Sequence, residues 1–185
     1  MIHNENPKQI HAVEPAPGAF KSLKKNTYPL KEKIIYHEKT GENFTVSNAD
    51  YAISLGVIHH IPAPLPTMKN IYKSLKTGGK AVIWLYAHEG NELYLSIFQP
   101  LRRLTTKMND SALHILSKAL TVLLSGYIFA CEYIPLPMHT YMLNHLKHFS
   151  WKNRYITIFD QLNPAWAYYY KKSEALNLMK EAGFT

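Results

Sequence analysis

The sequence lacks most of the residues that would declare its chemistry at once. It has a single cysteine, Cys131, so no intramolecular disulfide can form. That usage points to a reducing compartment. The N-terminal MIHNENPKQIHAVEP has no apolar core of the kind a signal peptide needs, and a cytoplasmic location is the expectation. Glycine is scarce as well: there are eight, and no G-x-G occurs anywhere. The glycine-rich turn by which dinucleotide-type folds bring backbone against a ligand is therefore missing. Long apolar runs are also absent. The longest, Ala112–Cys131, is interrupted by His114 and Lys118, which leaves only Ala119–Cys131 uncharged. That is short of the roughly 20 apolar residues a bilayer span needs. A buried helix is expected there, with a helix lying on a membrane surface as the alternative.

What is present is an ordinary globular composition with an excess of positive charge. Twenty-one lysines and arginines against thirteen acids give a net charge of +8. Nucleic-acid binders concentrate such charge in one footprint. Here it is spread thinly over Lys21–Lys33, Arg102-Arg103 and Lys171-Lys172, so a solvated basic face is expected and no nucleic-acid partner. A chain of 185 residues is long enough for one domain with a real core and an insertion.

Strand and helix signals alternate through the first half. QIHAV (residues 9–13), KIIYH (33–37), YAISL (51–55) and KAVIWLY (80–86) read as strands. Ala19, Phe20 and Leu23 fall at helical spacing up to Asn26. Thr67 is placed to cap a helix carrying Met68, Ile71, Tyr72 and Leu75, which Gly78-Gly79 would stop. Helices between apolar strands imply one parallel sheet covered on both faces, with Tyr51–Leu55 central and beside Lys80–Tyr86. Residues 88–150 read as mostly helical, with loops at Pro100 and Pro135-Leu-Pro137. Arg154–Asp160 reads as a short strand or an extended loop. Ser173 would cap a last helix that ends at Gly183.

Three features stand in a meaningful order: Val13-Glu14-Pro15 ends a strand with an acid, Asp50–His60 is a strand running into GVIHH, and LKTGG leads into KAVIWLY. Together they resemble the class I S-adenosylmethionine-dependent methyltransferases, in the branch with VLHH-type fourth strands followed by LKPGG. The likeness covers residues 9–87 and returns at Glu181–Phe184, EAGF. It implies an α/β fold: a Rossmann-like, doubly wound, mostly parallel sheet, incomplete, with a helical insertion. The divisions would be 1–87 for the cofactor-binding part, 88–171 for a helical insertion or cap, and 172–185 for a returning helix.

The resemblance also implies roles. In doubly wound sheets ligands lie beyond the carboxyl ends of the strands. Glu14 would accept hydrogen bonds from the ribose hydroxyls of S-adenosyl-L-methionine, against the plainer reading of a solvated charge. Gly41 and Glu42 stand where the family contacts adenine, although Thr40 replaces a frequent Asp and a simple turn fits equally. Ser54, Leu55 and Gly56 would offer backbone to the methionine part. The His59-His60 pair would mark the end of the fourth strand. A metal site needs further ligands, and the other histidines are scattered, so no metal is expected. Proton transfer by His59 or His60 stays open, since imidazole titrates near neutrality. Tyr86 and Asp160 complete the candidates bordering the reaction. For Asp160 a loop-turn role is the plainer reading.

The absent glycine turn leads to the expectation that the chain is a fragment, with its first strand upstream and its sixth beyond Thr185, and that alone it binds cofactor poorly. The insertion, rich in aromatics such as Trp151, Trp166 and Tyr168–Tyr170, would cover the methyl-transfer pocket and select a small-molecule acceptor; the acceptor atom and the oligomeric state are left open. Two other classes compete with methyl transfer: a catalytically silent methyltransferase-like binding module, and a basic protein making peripheral membrane contact through Ala112–Cys131.

Overall fold

Four short strands pair in parallel, two and two, in the computed structural model, which describes residues 7–163 and 166–185. Strand β1 (Ile10–Val13) lies beside β2 (Ile34–His37), with Ile10 opposite Ile34 and Val13 opposite His37. Helix α1 (Pro17–Asn26) and a 3-10 turn at Tyr28–Lys33 connect them. Pro17 opens α1, where a missing N–H costs nothing. Phe20 is the residue α1 buries, edge-on to Tyr36 at 6.4 Å between ring centres.

The second pair is β3 (Ala49–Leu55) with β4 (Leu75–Trp84), joined by α2 (Leu65–Ser74). β4 begins earlier than the sequence suggests, because LKTGG belongs to it. Ala49 faces Leu75, yet Tyr51 already faces Lys80, so residues 76–79 bulge out of the ladder. Gly78 makes this feasible at φ +77°, a conformation other residues rarely adopt. The helix before it ends at Ser74, not at the glycines, and begins at Leu65 with Pro64 as its N-cap. Thr67 lies inside the first turn and is buried.

One sheet was expected and two pairs are found. No ladder joins β1–β2 to β3–β4 among the described residues. In a doubly wound sheet of the family the sequence resembles, a further strand would lie beside both β1 and β3. None of the described residues takes that place, so each strand keeps one unpaired edge. Coverage is one-sided too. Ile83 and Leu85 pack with Ile58, Met68 and Ala182, which brings α2 and the last helix, α7 (Lys172–Ala182), against one face. Alternate residues point the other way, and Tyr51, Ile53, Leu55, Val82 and Trp84 are all exposed.

Helix α7 ends as Gly183 predicts. Gly183 sits at φ +109°, its N–H bonds Lys180 O, and the N–H of Phe184 reaches Met179 O. These are the paired closing bonds of a Schellman turn. At the other end Lys171, not Ser173, is the N-cap residue, and the Glu174 carboxylate accepts from its backbone N–H at 2.9 Å.

The chain divides into two compact units, Met1–Tyr86 with Tyr168–Thr185, and Ala87–Ala167. Among the described residues between Ala87 and Ala167, four α-helices follow one another: α3 (Glu92–Thr105), α4 (Asp110–Cys131), α5 (His139–Asn144) and α6 (Trp151–Leu162). Pro100 lies inside α3 and forms no loop. Arg154–Asp160 is helical, contrary to the strand or loop expected: Ser150 accepts the Asn153 N–H as an N-cap, and Ile158 and Leu162, four apart, turn inward. Leu113 of α4 meets them in one core cluster, while Ile128 and Cys131 meet Met142 and Leu146 in another. Arg102, 8% exposed, donates from Nε to Gln161 O at 2.8 Å, and Thr105 donates to Leu162 O at 2.9 Å. Two of the orphan carbonyls at the end of α6 are thereby satisfied, one of them by a cation where the helix dipole favours it.

Candidate functional site

Glu14 follows β1 directly. Its N–H donates to His37 O at 3.0 Å, which carries the ladder one residue past the strand. Its carboxylate is half-buried, and Oε1 accepts the Ala16 N–H at 2.8 Å. Oε2 takes no hydrogen bond among the described residues. One oxygen thus fixes the turn into α1 while the other remains an acceptor at the carboxyl end of a parallel strand.

Gly41 has a packing reason to be glycine. An added Cβ would stand 2.5 Å from Thr67 Cγ2, closer than any real contact. Asn70 of α2 then donates to Gly41 O at 3.1 Å and Glu42 O at 2.7 Å, which pins this 3-10 turn to the helix. Glu42 itself is exposed. Gly41→Ala is expected to destabilise the protein by about 1–3 kcal/mol, the usual cost of overpacking. Urea unfolding measures it, and a midpoint unchanged from wild type would show that Thr67 moves aside without cost.

β3 closes at Gly56, where φ is +74° and a Cβ would lie 3.6 Å from the Trp84 ring. The Gly56 N–H donates to Trp84 O at 3.2 Å, so the chain turns sharply while still attached to β4. Ser54 is half-buried, facing Ile83 across the ladder, and Leu55 is exposed.

The two histidines come next, in a 3-10 turn at Ile58–His60. His59 has no exposed surface. Its Nδ1 accepts the Tyr86 N–H at 3.3 Å, which assigns the ring proton to Nε2, and Nε2 has no hydrogen-bond partner among the described residues. Burial, and next the neighbouring His60, lower its pKa to about 4. The imidazole is therefore neutral at pH 7, and it lies flat on the Tyr86 ring, 3.7 Å between centres. Tyr86 in turn stacks on Tyr169 at 5.1 Å, and His60 tilts against His59 at 4.3 Å. Backbone bonds tie the same pieces: Tyr168 N–H to His59 O at 2.9 Å, and Tyr170 N–H to Tyr86 O at 2.8 Å.

His59, His60 and Tyr86 are thus brought together at the carboxyl ends of β3 and β4. Glu14 stands at the end of the other strand pair, and Gly41 and Glu42 on the turn after β2. Asp160 belongs to the Ala87–Ala167 unit, exposed in the last turn of α6. The IFDQLNP stretch it occupies ends at Pro164, outside the described residues. Among the described residues no three His, Cys, Asp or Glu side chains are placed to hold a metal ion.

Two placements are not read from the sequence, although Tyr168–Tyr170 stand out in it as aromatics. Tyr169 and Tyr170 are buried wall residues of the strand-end cluster, although they lie far along the chain; three consecutive tyrosines before a helix cap were the available signal. His11 and His37 also pair across β1 and β2, Nδ1 to Nε2 at 3.0 Å, and burial holds the His37 pKa below its usual value, with His11 the next cause. That partnership depends on strand register, which the sequence does not print.

Residues 2–83 match the family model described as a methyltransferase domain. That stretch contains the strand-end motifs that carry the resemblance to the class I methyltransferases. Among solved structures the chain is similar to PKMT2 from Rickettsia typhi, with 12% identity, 94% of this chain covered and a TM-score of 0.60. At that identity the likeness speaks for the α/β fold alone. A candidate methyltransferase from Bacillus halodurans C-125 is also similar, with 19% identity over 51% of this chain and a TM-score of 0.44. The chain spans 32% of the first of these proteins and 44% of the second. A comparison with curated proteins gives no match.

Proposed function

We propose that the chain is the cofactor-binding part of an S-adenosylmethionine-dependent methyltransferase acting on a small-molecule acceptor. The observation that carries this reading is the methyltransferase-domain match over residues 2–83, the stretch that holds all four parallel strands but the last residue of β4. The strand ends fit the cofactor in three respects. Glu14 keeps one carboxylate oxygen open for a ribose hydroxyl. Gly56 turns with a positive φ that brings bare backbone to the end of β3 for the methionine portion. The pinned turn at Gly41-Glu42 offers backbone and a carboxylate for adenine.

When bound, S-adenosylmethionine supplies an electrophilic methyl group on its sulfonium. The protein's work is to orient acceptor against donor and to exclude water. His59 has no surface to offer an acceptor. It is a positioning residue, holding Tyr86 through its ring and the backbone N–H. Tyr86 and His60, both half-buried, are the side chains of this cluster left to meet one.

Titrating S-adenosylhomocysteine into the protein tests the reading. Binding is expected, and Glu14→Ala should weaken it by about 1–3 kcal/mol, the scale of hydrogen bonds to a charged group. Glu14→Gln should do less harm, because it keeps an acceptor. An unchanged Kd in Glu14→Ala would remove the ribose assignment, and the absence of any binding would remove the cofactor.

A further inference from the structure

Helix α4 does not sit where its composition would put it. It runs 22 residues, from Asp110 to Cys131, and is long and apolar enough to cross a membrane. A helix apolar all round is normally a core helix or a membrane span. Yet only 22% of its most apolar window is buried. The buried-helix expectation is thus corrected: one side, carrying Leu113, Ser117, Thr121 and Ile128, packs inward, and the other stays bare.

The bare side is a continuous stripe. Ile115, Val122 and Phe129 follow at seven-residue steps, 69%, 59% and 61% exposed, with Leu123 beside them at 67%. Ala119 and Gly126, also exposed, fill the steps between. Tyr133, just past the helix, is exposed at its end. No acidic residue lies between Asp110 and Glu132, and the one full charge on the stripe is Lys118.

We infer that this stripe seats the protein on the surface of an anionic lipid bilayer, with α4 lying in the plane of the interface. Charge decides among the occupants. Lys118 stands near the middle of the helix, so a two-fold pairing of two copies across the stripe would bring two lysines into one apolar strip. A bilayer instead lets the lysine stem lie along the apolar surface and its ammonium reach a lipid phosphate. The +8 net charge of the chain acts in the same sense. Spanning is ruled out by what holds the inner side. Ser125 of α4 accepts from Arg154 Nη1 at 3.0 Å, and that guanidinium also donates to Leu146 O and Lys147 O. A crossing helix would drag this half-buried cation and its backbone partners into hydrocarbon.

The test is flotation of the 185-residue protein with vesicles of phosphatidylcholine, with and without about 30 mol % phosphatidylglycerol. Light scattering on the free protein runs beside it. Wild type should float with the anionic vesicles. Val122→Glu/Phe129→Glu, at positions already exposed, should lower the bound fraction about tenfold with an unchanged circular dichroism spectrum. Lys118→Glu should weaken binding severalfold on anionic vesicles and little on neutral ones. Failure of wild type to float, or equal flotation of the double variant, would overturn the inference. A wild-type dimer that the double variant converts to monomer, without vesicle binding, would assign the stripe to a second copy and overturn it as well. None of these readouts depends on cofactor binding.

Discussion

Between pH 6.5 and pH 4 the folded state should lose about 3 kcal/mol through His59 alone. The sign follows from where the proton goes. An unfolded chain protonates this imidazole near its ordinary value of 6.5, whereas the buried ring resists protonation down to about 4. Across that window the unfolded state binds more protons, so stability falls as the pH is lowered. The contribution is complete above pH 6.5 and exhausted below about 4. His59→Gln removes the titration, and its side-chain oxygen can still accept the Tyr86 N–H. Denaturant unfolding of both proteins at several values across the window isolates the effect as the difference between them. Parallel pH profiles for the two would mean that His59 is not held neutral by its surroundings.

Leu162→Ala should destabilise the helical unit by about 3–4 kcal/mol, in the range for a fully buried leucine. Leu162 has no exposed surface and shares a core with Leu113 and Ile158, while Thr105 bonds its carbonyl. The substitution leaves a cavity where α4 and α6 meet. Hydrogen exchange should show the loss first in the amides of α3, α4 and α6. Protection unchanged in these helices would show that the cavity collapses without cost.

Both predictions rest on side chains whose surroundings the sequence could only partly announce. The parallel strands were legible because Ile10–Val13, Ile34–His37 and Ala49–Leu55 are short apolar runs bounded by turn residues, and their periodicity is local information. The bulge at residues 76–79 was not, because Leu75 alone looks like the end of a helix until Ala49 is placed opposite it. Helix α6 reads as a short strand or extended loop in sequence because Tyr155, Ile156, Thr157, Ile158 and Phe159 are β-branched or aromatic. The Ser150 cap and an inward-facing Ile158–Leu162 pair outweigh that propensity. α4 was legible as a helix but not as an exposed one, since an apolar sequence says what would prefer burial and not what is available to bury it.

The candidate site divides in the same way. Glu14 and Gly56 could be found because an acid or a glycine at a strand end is a local feature. The stacking of Tyr86 between His59 and Tyr169 could not, because the two tyrosines lie 83 positions apart in the sequence.

That stacking bears on how the chain is assembled. Tyr86 and Tyr170 are joined by a backbone hydrogen bond, so the chain departs toward Ala87 and returns at Tyr168 through neighbouring points. The excursion is a closed detour, and its closing entropy grows only with the logarithm of its length. Changing the number of residues between the two anchor points should therefore cost the strand-bearing unit little closing entropy, provided Tyr168–Tyr170 still dock.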